Sequence, residues 1–423
     1  MKLRQNKGFI WFIMCLPFSI VYFQRLAIGT VKDELLHDMG ISLSFFANIS
    51  TAYFYTYLLM QIPAGFLVEI IGARITVTVG TLLAGFGSIF FGMTTNPWFA
   101  VGSRLITGIG LAVIYIAILK MIGRWFKENE FATLSGFTEL FGNLGALLAQ
   151  TPLLLIIAVL SWRTTFIAVG FVSIAFSILC WIFVSDKPPI IEEHGKDGSV
   201  KQKGISRPYN FPEVFKVFLT VAKNPYTWPP ILINLTFYGS FFALSGTWGQ
   251  AFLSVVFHLS REQASNMLFI SVLGYALASA ALGIISDKLG KRKLPIMSMG
   301  ILNLLCWIVL VLLKGDSSIY VIGTLMGVLG ISAACFTLCW TLGKEVNHRE
   351  FEGLSTSFVN AGGYFGPISL SIFIGYLLDK HSGVAPVALD YRKAFLVCVL
   401  FAFFGVISSI FIKETACKNI HEA

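Results

Sequence analysis

Gly65-Phe-Leu-Val-Glu69-Ile-Ile-Gly72-Ala-Arg74 and Gly283-Ile-Ile-Ser-Asp287-Lys-Leu-Gly290-Lys-Arg292 carry glycine, acid, glycine and base at identical spacing, 218 residues apart. Each stretch leaves a long apolar run and enters another. A second echo pairs Asn143-Leu-Gly145-Ala with Asn360-Ala-Gly362-Gly363, 217 residues apart. Two echoes at nearly one offset mark an internal repeat of about half the chain.

The apolar runs say what is repeated. The chain has 423 residues, of which 56% are hydrophobic and 13% charged, with a mean hydropathy of +0.77. Ordinary soluble domains carry roughly 25% charged residues, so a soluble reading is excluded. Twelve apolar segments can be drawn, at about 8–31, 44–69, 74–94, 97–121, 131–158, 162–184, 226–256, 263–285, 295–314, 318–342, 353–379 and 393–413. Each holds at least the ~20 residues that a spanning helix needs. The runs are continuous and do not alternate, which argues against a β-barrel. The first run is too long for the apolar core of a signal peptide. The expected fold is therefore an all-α membrane protein with twelve transmembrane helices in two pseudo-symmetric six-helix bundles. The bundles fall at 1–184 and 224–423, and a polar linker at 185–223 joins them.

Lysine and arginine crowd one set of loops: the N-terminus, the linker, both repeated motifs and the C-terminus. That asymmetry predicts a multi-pass protein of the cytoplasmic (inner) membrane with both termini cytoplasmic. It also accounts for the net charge of +9 without a nucleic-acid partner. The seven cysteines form no CxxC pair, and the six histidines all fall in loops or at the terminus. No metal site, cofactor motif or catalytic constellation is expected, so the chain reads as no enzyme. The implied partners are a small-molecule substrate and the lipid bilayer.

Polar residues inside a membrane are costly and mark function. Arg25 lies deep in segment 1 and is a candidate ligand for a substrate carboxylate, because its guanidinium is a fixed fork of donors. Glu139 is the one carboxylate well inside a segment, which makes it a candidate proton carrier. Glu139, Asn143 and Gln150 are spaced to share one helix face. Tyr53, Tyr57 and Gln61 form a similar stripe on segment 2, and Asn234, Tyr238, Ser245 and Trp248 on segment 7. Tyr57, Gln61, Asn143, Tyr238, Trp248 and Asn360 join Arg25 as the candidate substrate-binding set. Against each stands the plainer alternative of helix packing or an internal ion pair.

The repeated loop motif, together with Arg104-x-x-x-Gly108-x-Gly110 in segment 4 and Gly123-Arg124-Trp125-Phe126 before Glu130, resembles the major facilitator superfamily over nearly the whole chain. Tyr22-Phe-Gln-Arg25, Gln61-Ile62-Pro63 and Asn360-Ala-Gly-Gly are similar to bacterial carriers of organic anions and amino acids. Segment 7 holds no Arg or Lys, unlike the sugar-phosphate antiporters, and segment 5 lacks the Gly-Pro motif of drug–proton antiporters.

The resemblance implies secondary transport by alternating access, with proton-coupled import of a small anionic or zwitterionic solute across the inner membrane. It also implies a role for Arg104 in helix packing and proton coupling, and a cytoplasmic gate built from Glu69, Arg74, Asp287 and Arg292. Many relatives work as monomers, which sets a monomer as the expectation. Export of a drug, siderophore or metabolite, and a non-transporting receptor on the same fold, are the competing readings.

Overall fold

The computed structural model describes residues 6–126, 128–186, 218–348, 351–380 and 386–420. The side chains of Ile62, Glu69, Glu128, Asn129, 131–133 and Glu352 lie outside this description. Most of the 185–223 linker does too.

Helix α1 (Lys7–Thr30) starts where the Asn6 side chain accepts the N–H groups of Gly8 and Phe9, and it carries Pro17 inside. A short amphipathic helix, α2 (Lys32–Met39), follows and stops at Gly40 in the left-handed region. Ser42 caps α3 (Leu43–Leu59), which breaks at Met60 before α4 (Gln61–Ile71). Next come α5 (Ala73–Met93), α6 (Pro97–Ala112), α7 (Ile114–Trp125), α8 (Glu128–Leu148) and α9 (Thr151–Phe183). The second half contributes α10 (Trp228–Ala243), α11 (Gly249–Phe257), α12 (Arg261–Leu289), α13 (Lys293–Leu312), α14 (Ile319–Ala333), α15 (Thr337–Glu345), α16 (Glu352–Asp379) and α17 (Ala388–Ile410).

Ten helical runs among the described residues are long and apolar enough to cross a membrane. Two further crossings fall outside that set for local reasons. The Leu43–Ile71 stretch is interrupted at Met60, and Glu139 and Asn143 dilute the hydropathy of α8. With them the chain makes twelve crossings in two six-helix bundles. The outward faces carry a belt of exposed apolar side chains, such as Leu83, Val159, Phe171, Leu277 and Leu312. Such a surface is stable only against lipid.

Three details differ from the expected segments. Segment 5 does not run on to 158: α8 ends at Leu148, Gln150 sits in the break, and α9 starts at Thr151. Pro152 explains the restart, because proline is tolerated in a first turn and not in mid-helix. Ser161, at φ 65°, then breaks α9 itself, so that its first ten residues and segment 6 form one kinked run. In segment 7 a π turn at Leu244–Trp248 separates α10 from α11. Such turns shift the helical register and often occur where function needs an irregular backbone.

The halves meet along α3 against α16, α8 against α12, and α1 against the π turn. Gly29 and Gly246 make the last contact possible. A Cβ on Gly29 would stand 2.8 Å from the Gly246 carbonyl oxygen, too close for any side chain.

Candidate functional site

Arg25 is 3% exposed and lies at the meeting of α1, α3, α10 and α16. Its Nε donates to the Tyr53 hydroxyl at 3.4 Å, Nη1 to Tyr238 at 3.4 Å and Nη2 to Tyr364 at 3.1 Å. The guanidinium carbon also sits over the rings of Tyr22 and Tyr57, at 4.7 Å from each centroid. Five tyrosines from both halves therefore cage one cation. Among the described residues no carboxylate lies within ion-pair distance of it. Phenol hydroxyls and ring faces ease the burial of a cation, but they do not neutralise it.

Glu139 lies one layer away on α8. The Tyr22 hydroxyl donates to its Oε2 at 2.9 Å, and Tyr115 of α7 is a second hydroxyl neighbour. Arg104 does not pair with Glu139. Its Nη1 and Nη2 donate to the side-chain and main-chain oxygens of Gln24, each at 2.9 Å. Gln24 in turn reaches Ser88 at 3.1 Å. Arg104 thereby ties α6 to α1 at the residue that precedes Arg25.

The other candidates divide by their contacts. Asn360 donates to Gln61 across the halves at 3.1 Å. These two amides stand one turn from Tyr364 and Tyr57, toward the end of the bundle that holds the N-terminus. Trp248 donates its indole N–H to the Ser371 carbonyl at 3.1 Å, and Asn234 donates to the Val359 carbonyl at 2.8 Å. Both thus bind the α16 backbone. Asn143 is buried, and its Oδ1 has no protein partner. Gln150 crosses to the Ser245 carbonyl at 3.0 Å.

Tyr364 was not singled out in the sequence. Its signal there is slight: an aromatic residue one helical turn after Asn360 in a spanning segment. Tyr22 and Tyr53 were visible as members of a motif and a stripe, but nothing local says that they converge on Arg25.

At the end away from the N-terminus the halves are latched together. Arg261 donates to both Glu34 oxygens, at 2.7 and 3.0 Å, and to the Thr30 carbonyl at 3.0 Å. Asp379 accepts the backbone N–H groups of Leu43 and Ser44. Ser50 meets Thr247 at 2.8 Å, and Thr151 donates to Asn266 at 2.7 Å. Beside this latch Asp38 accepts the Trp162 indole N–H at 3.0 Å. That donor, helped by His37 and Arg163, outweighs partial burial and holds the Asp38 carboxyl below its ordinary range.

The repeated motifs lie at the opposite end, and their described charges pair within their own halves. Arg292 donates to Asp287 at 2.7 Å and to Glu345 at 2.8 Å. Arg74 donates its backbone N–H to Asp186 at 3.0 Å and its guanidinium to the Trp181 carbonyl at 2.7 Å. Glu414 plays the part of Asp186 in the second half, accepting the N–H groups of Arg292 and Lys293 at 2.8 and 3.0 Å. The Glu69 side chain lies outside the described residues.

The sequence model of the Major Facilitator Superfamily matches residues 14–343 and 231–419. The chain is 22% identical to a probable sulfoacetate transporter, SauU, of Cupriavidus necator, over 97% of this chain and 95% of that one. It is 25% identical to a D-galactonate transporter of Escherichia coli, over 89% of each chain. Among solved structures, a bacterial homolog of the human lysosomal transporter Spinster, inward-facing and occupied, aligns with a TM-score of 0.73 at 14% identity and covers 96% of both chains. The nucleoside transporter NupG aligns with a TM-score of 0.72 at 12% identity, over 94% of this chain and 99% of that one. These likenesses and the two-bundle architecture agree: the chain is a membrane transporter, no enzyme, and it belongs to the major facilitator superfamily.

Proposed function

We propose that the protein imports a small organic acid across the bacterial inner membrane by proton symport, binding the acid's carboxylate or sulfonate at Arg25. The observation that supports this reading is that, among the described residues, no carboxylate touches the Arg25 guanidinium, and Glu139 stands a layer away behind Tyr22. A guanidinium touched only by hydroxyls and ring faces has its donor fork unmatched by a direct anion, and an anionic substrate would supply one. The named relatives support the class: sulfoacetate and D-galactonate are both acids. Tyr57 and Tyr238 would line the walls, with Trp248 and Asn143 behind them. Gln61 and Asn360 would meet the polar remainder of the solute.

Glu139 would carry the proton, and Arg104 would hold α1 in place beside it. The bias of lysine and arginine puts both termini and the linker in the cytoplasm. The Glu34–Arg261 and Asp379 latches then close the outer side. The charges of the repeated motifs would form the inner gate in the alternate state, when the bundles rock about the central site. The divisions 1–184, 185–223 and 224–423 describe the two moving bodies and their tether, and one chain suffices as the working unit.

Uptake into proteoliposomes tests this. Radiolabelled D-galactonate, D-glucarate, sulfoacetate, an amino acid and a nucleoside are offered with and without an inward proton gradient. The expected result is accumulation of an acid only with the gradient, abolished in Arg25→Ala and reduced to exchange in Glu139→Gln. Flux of the neutral nucleoside alone, or acid flux unchanged in Arg25→Ala, overturns the site. Binding without flux favours a receptor.

A further inference from the structure

We propose that Tyr22 is the positioning residue that couples protonation of Glu139 to release of Arg25 for substrate. This rests on the symport reading above and adds to it the physical link between the two sites.

The link is needed because Glu139 and Arg25 do not touch. Tyr22 touches both, with opposite ends of one side chain. Its hydroxyl donates to Glu139 Oε2 at 2.9 Å, and its ring face lies 4.7 Å below the Arg25 guanidinium carbon. The side chain is 3% exposed, so water does not compete for either contact. The ring is also fixed from behind, with Phe18 at 5.5 Å between centroids and Gly142 of α8 leaving room for its edge.

A phenol that donates a hydrogen bond to a carboxylate gains electron density in its ring, and a denser ring face holds a cation more strongly. When Glu139 takes a proton from hydronium on the high-proton side, releasing water, its new O–H bond removes the negative charge that Tyr22 was bonded to. The Tyr22 hydroxyl keeps its own proton throughout. Its ring then holds Arg25 less tightly, and the guanidinium is freer to turn toward an anion. In the reverse direction a bound anion draws Arg25 off the ring and eases the charge change at Glu139. The coupling is reciprocal, as linkage requires.

The other groups that face Glu139 are Arg25 and Tyr22 of α1, Tyr115 of α7, and Tyr275 of α12. Among these, Tyr22 makes both contacts. Tyr115 touches the carboxylate without touching the cation, which makes it the natural control.

Two arms test the proposal. The first needs no solute: infrared difference spectra of the purified, reconstituted protein across pH. Wild type should show a carboxylic-acid signal with a simultaneous tyrosine ring-mode change, and Glu139→Gln should lose both. Tyr22→Phe should keep the carboxyl signal and lose the ring-mode change, whereas Tyr115→Phe keeps it. The second arm is transport of D-galactonate and sulfoacetate. In Tyr22→Phe, which keeps the ring but not the hydroxyl, exchange should persist at a reduced rate. Proton-driven accumulation should fall at least about tenfold, the scale that one charge-assisted hydrogen bond sets.

Equal loss of exchange and accumulation, or no change in either, overturns the proposal. So does a ring-mode change that survives in Tyr22→Phe. Wild-type protein that carries neither acid overturns the symport reading instead, and the infrared arm then decides the link by itself.

Discussion

Asp379, the last residue of α16 in the second half, caps a helix of the first. Its Oδ2 accepts the backbone N–H of Ser44 at 2.8 Å, and its Oδ1 that of Leu43 at 3.0 Å. An ionised carboxylate at a helix N-terminus satisfies orphan donors and meets the positive end of the helix dipole. Ser42, the N-cap residue, already accepts the Phe45 N–H, so Asp379 completes the cap and joins the halves in one contact.

On the proposed alternating-access reading, that contact should help set the balance between closed and open states of this end. Asp379→Ala removes a charge-assisted pair worth about 1–2 kcal/mol in a partly buried cap. The open state should gain about tenfold in population as a result. Labelling of Ser50→Cys by a membrane-impermeant maleimide, with the native cysteines replaced, reads this. Ser50 faces Thr247 across the closed interface, so its rate should rise by a similar factor. An unchanged rate would deny Asp379 its role in closure.

Gly29→Ala should act in the same direction more strongly. The added Cβ meets the backbone of Gly246 and Thr247, which cannot move aside as a flexible side chain would. Overpacking of this kind costs typically 1–3 kcal/mol, and here the cost falls only on the closed face. The variant should fold and bind, yet label at Ser50→Cys faster and exchange solute more slowly. Normal exchange would show that the close approach is dispensable.

Arg25→Met should separate stability from transport. A buried cation that no described carboxylate touches is retained at a cost in stability, and an apolar residue of similar length relieves it. Thermal unfolding in detergent should move up by a few degrees, as about 1 kcal/mol does for a half of this size. Uptake should vanish. A large drop in melting temperature would instead make Arg25 a structural residue.

The carboxyl-terminal tail should be held by charge down to acid pH. Burial alone would push the Glu414 carboxyl up, but the N–H groups of Arg292, Lys293, Ala416 and Thr415 outweigh it and leave the group below its ordinary 4.5. A depressed folded value means that the cap is fully present above about 4.5 and is lost only as pH falls through that lower value. Hydrogen exchange at the Arg292 and Lys293 amides should stay slow to below pH 4.5 and then quicken. In Glu414→Gln it should be fast throughout. Protection that fails already near neutral pH would contradict the cap.

The crossings and the repeat could be read from residues because both are local or periodic. Hydropathy over a span and a motif at fixed spacing survive any tertiary arrangement. Arg25 stood out for the same reason, as a charge inside an apolar run. The cage around it could not be read. Tyr364 lies 339 positions away from Arg25, and its neighbours resemble those of any aromatic in a spanning helix. Gln150 shows the limit of periodicity: spacing put it on one face with Glu139, whereas Pro152 restarts the helix and leaves it in a break. The latch charges Glu34, Arg261 and Asp379 looked like ordinary loop ends, since only the meeting of two halves gives them partners.

The acids that follow the last helix of each half have one more consequence. Asp186 reaches back to the start of α5 and Glu414 to the start of α13, so each bundle is clasped by an acid just past its last helix. Gly72, at φ 92° and without room for a Cβ beside Asp186, is the notch that receives the first clasp. Both clasps lie outside 187–217, so a nick or an inserted protein there should leave each in place. Two separately made pieces cut there would each keep both partners of their own clasp.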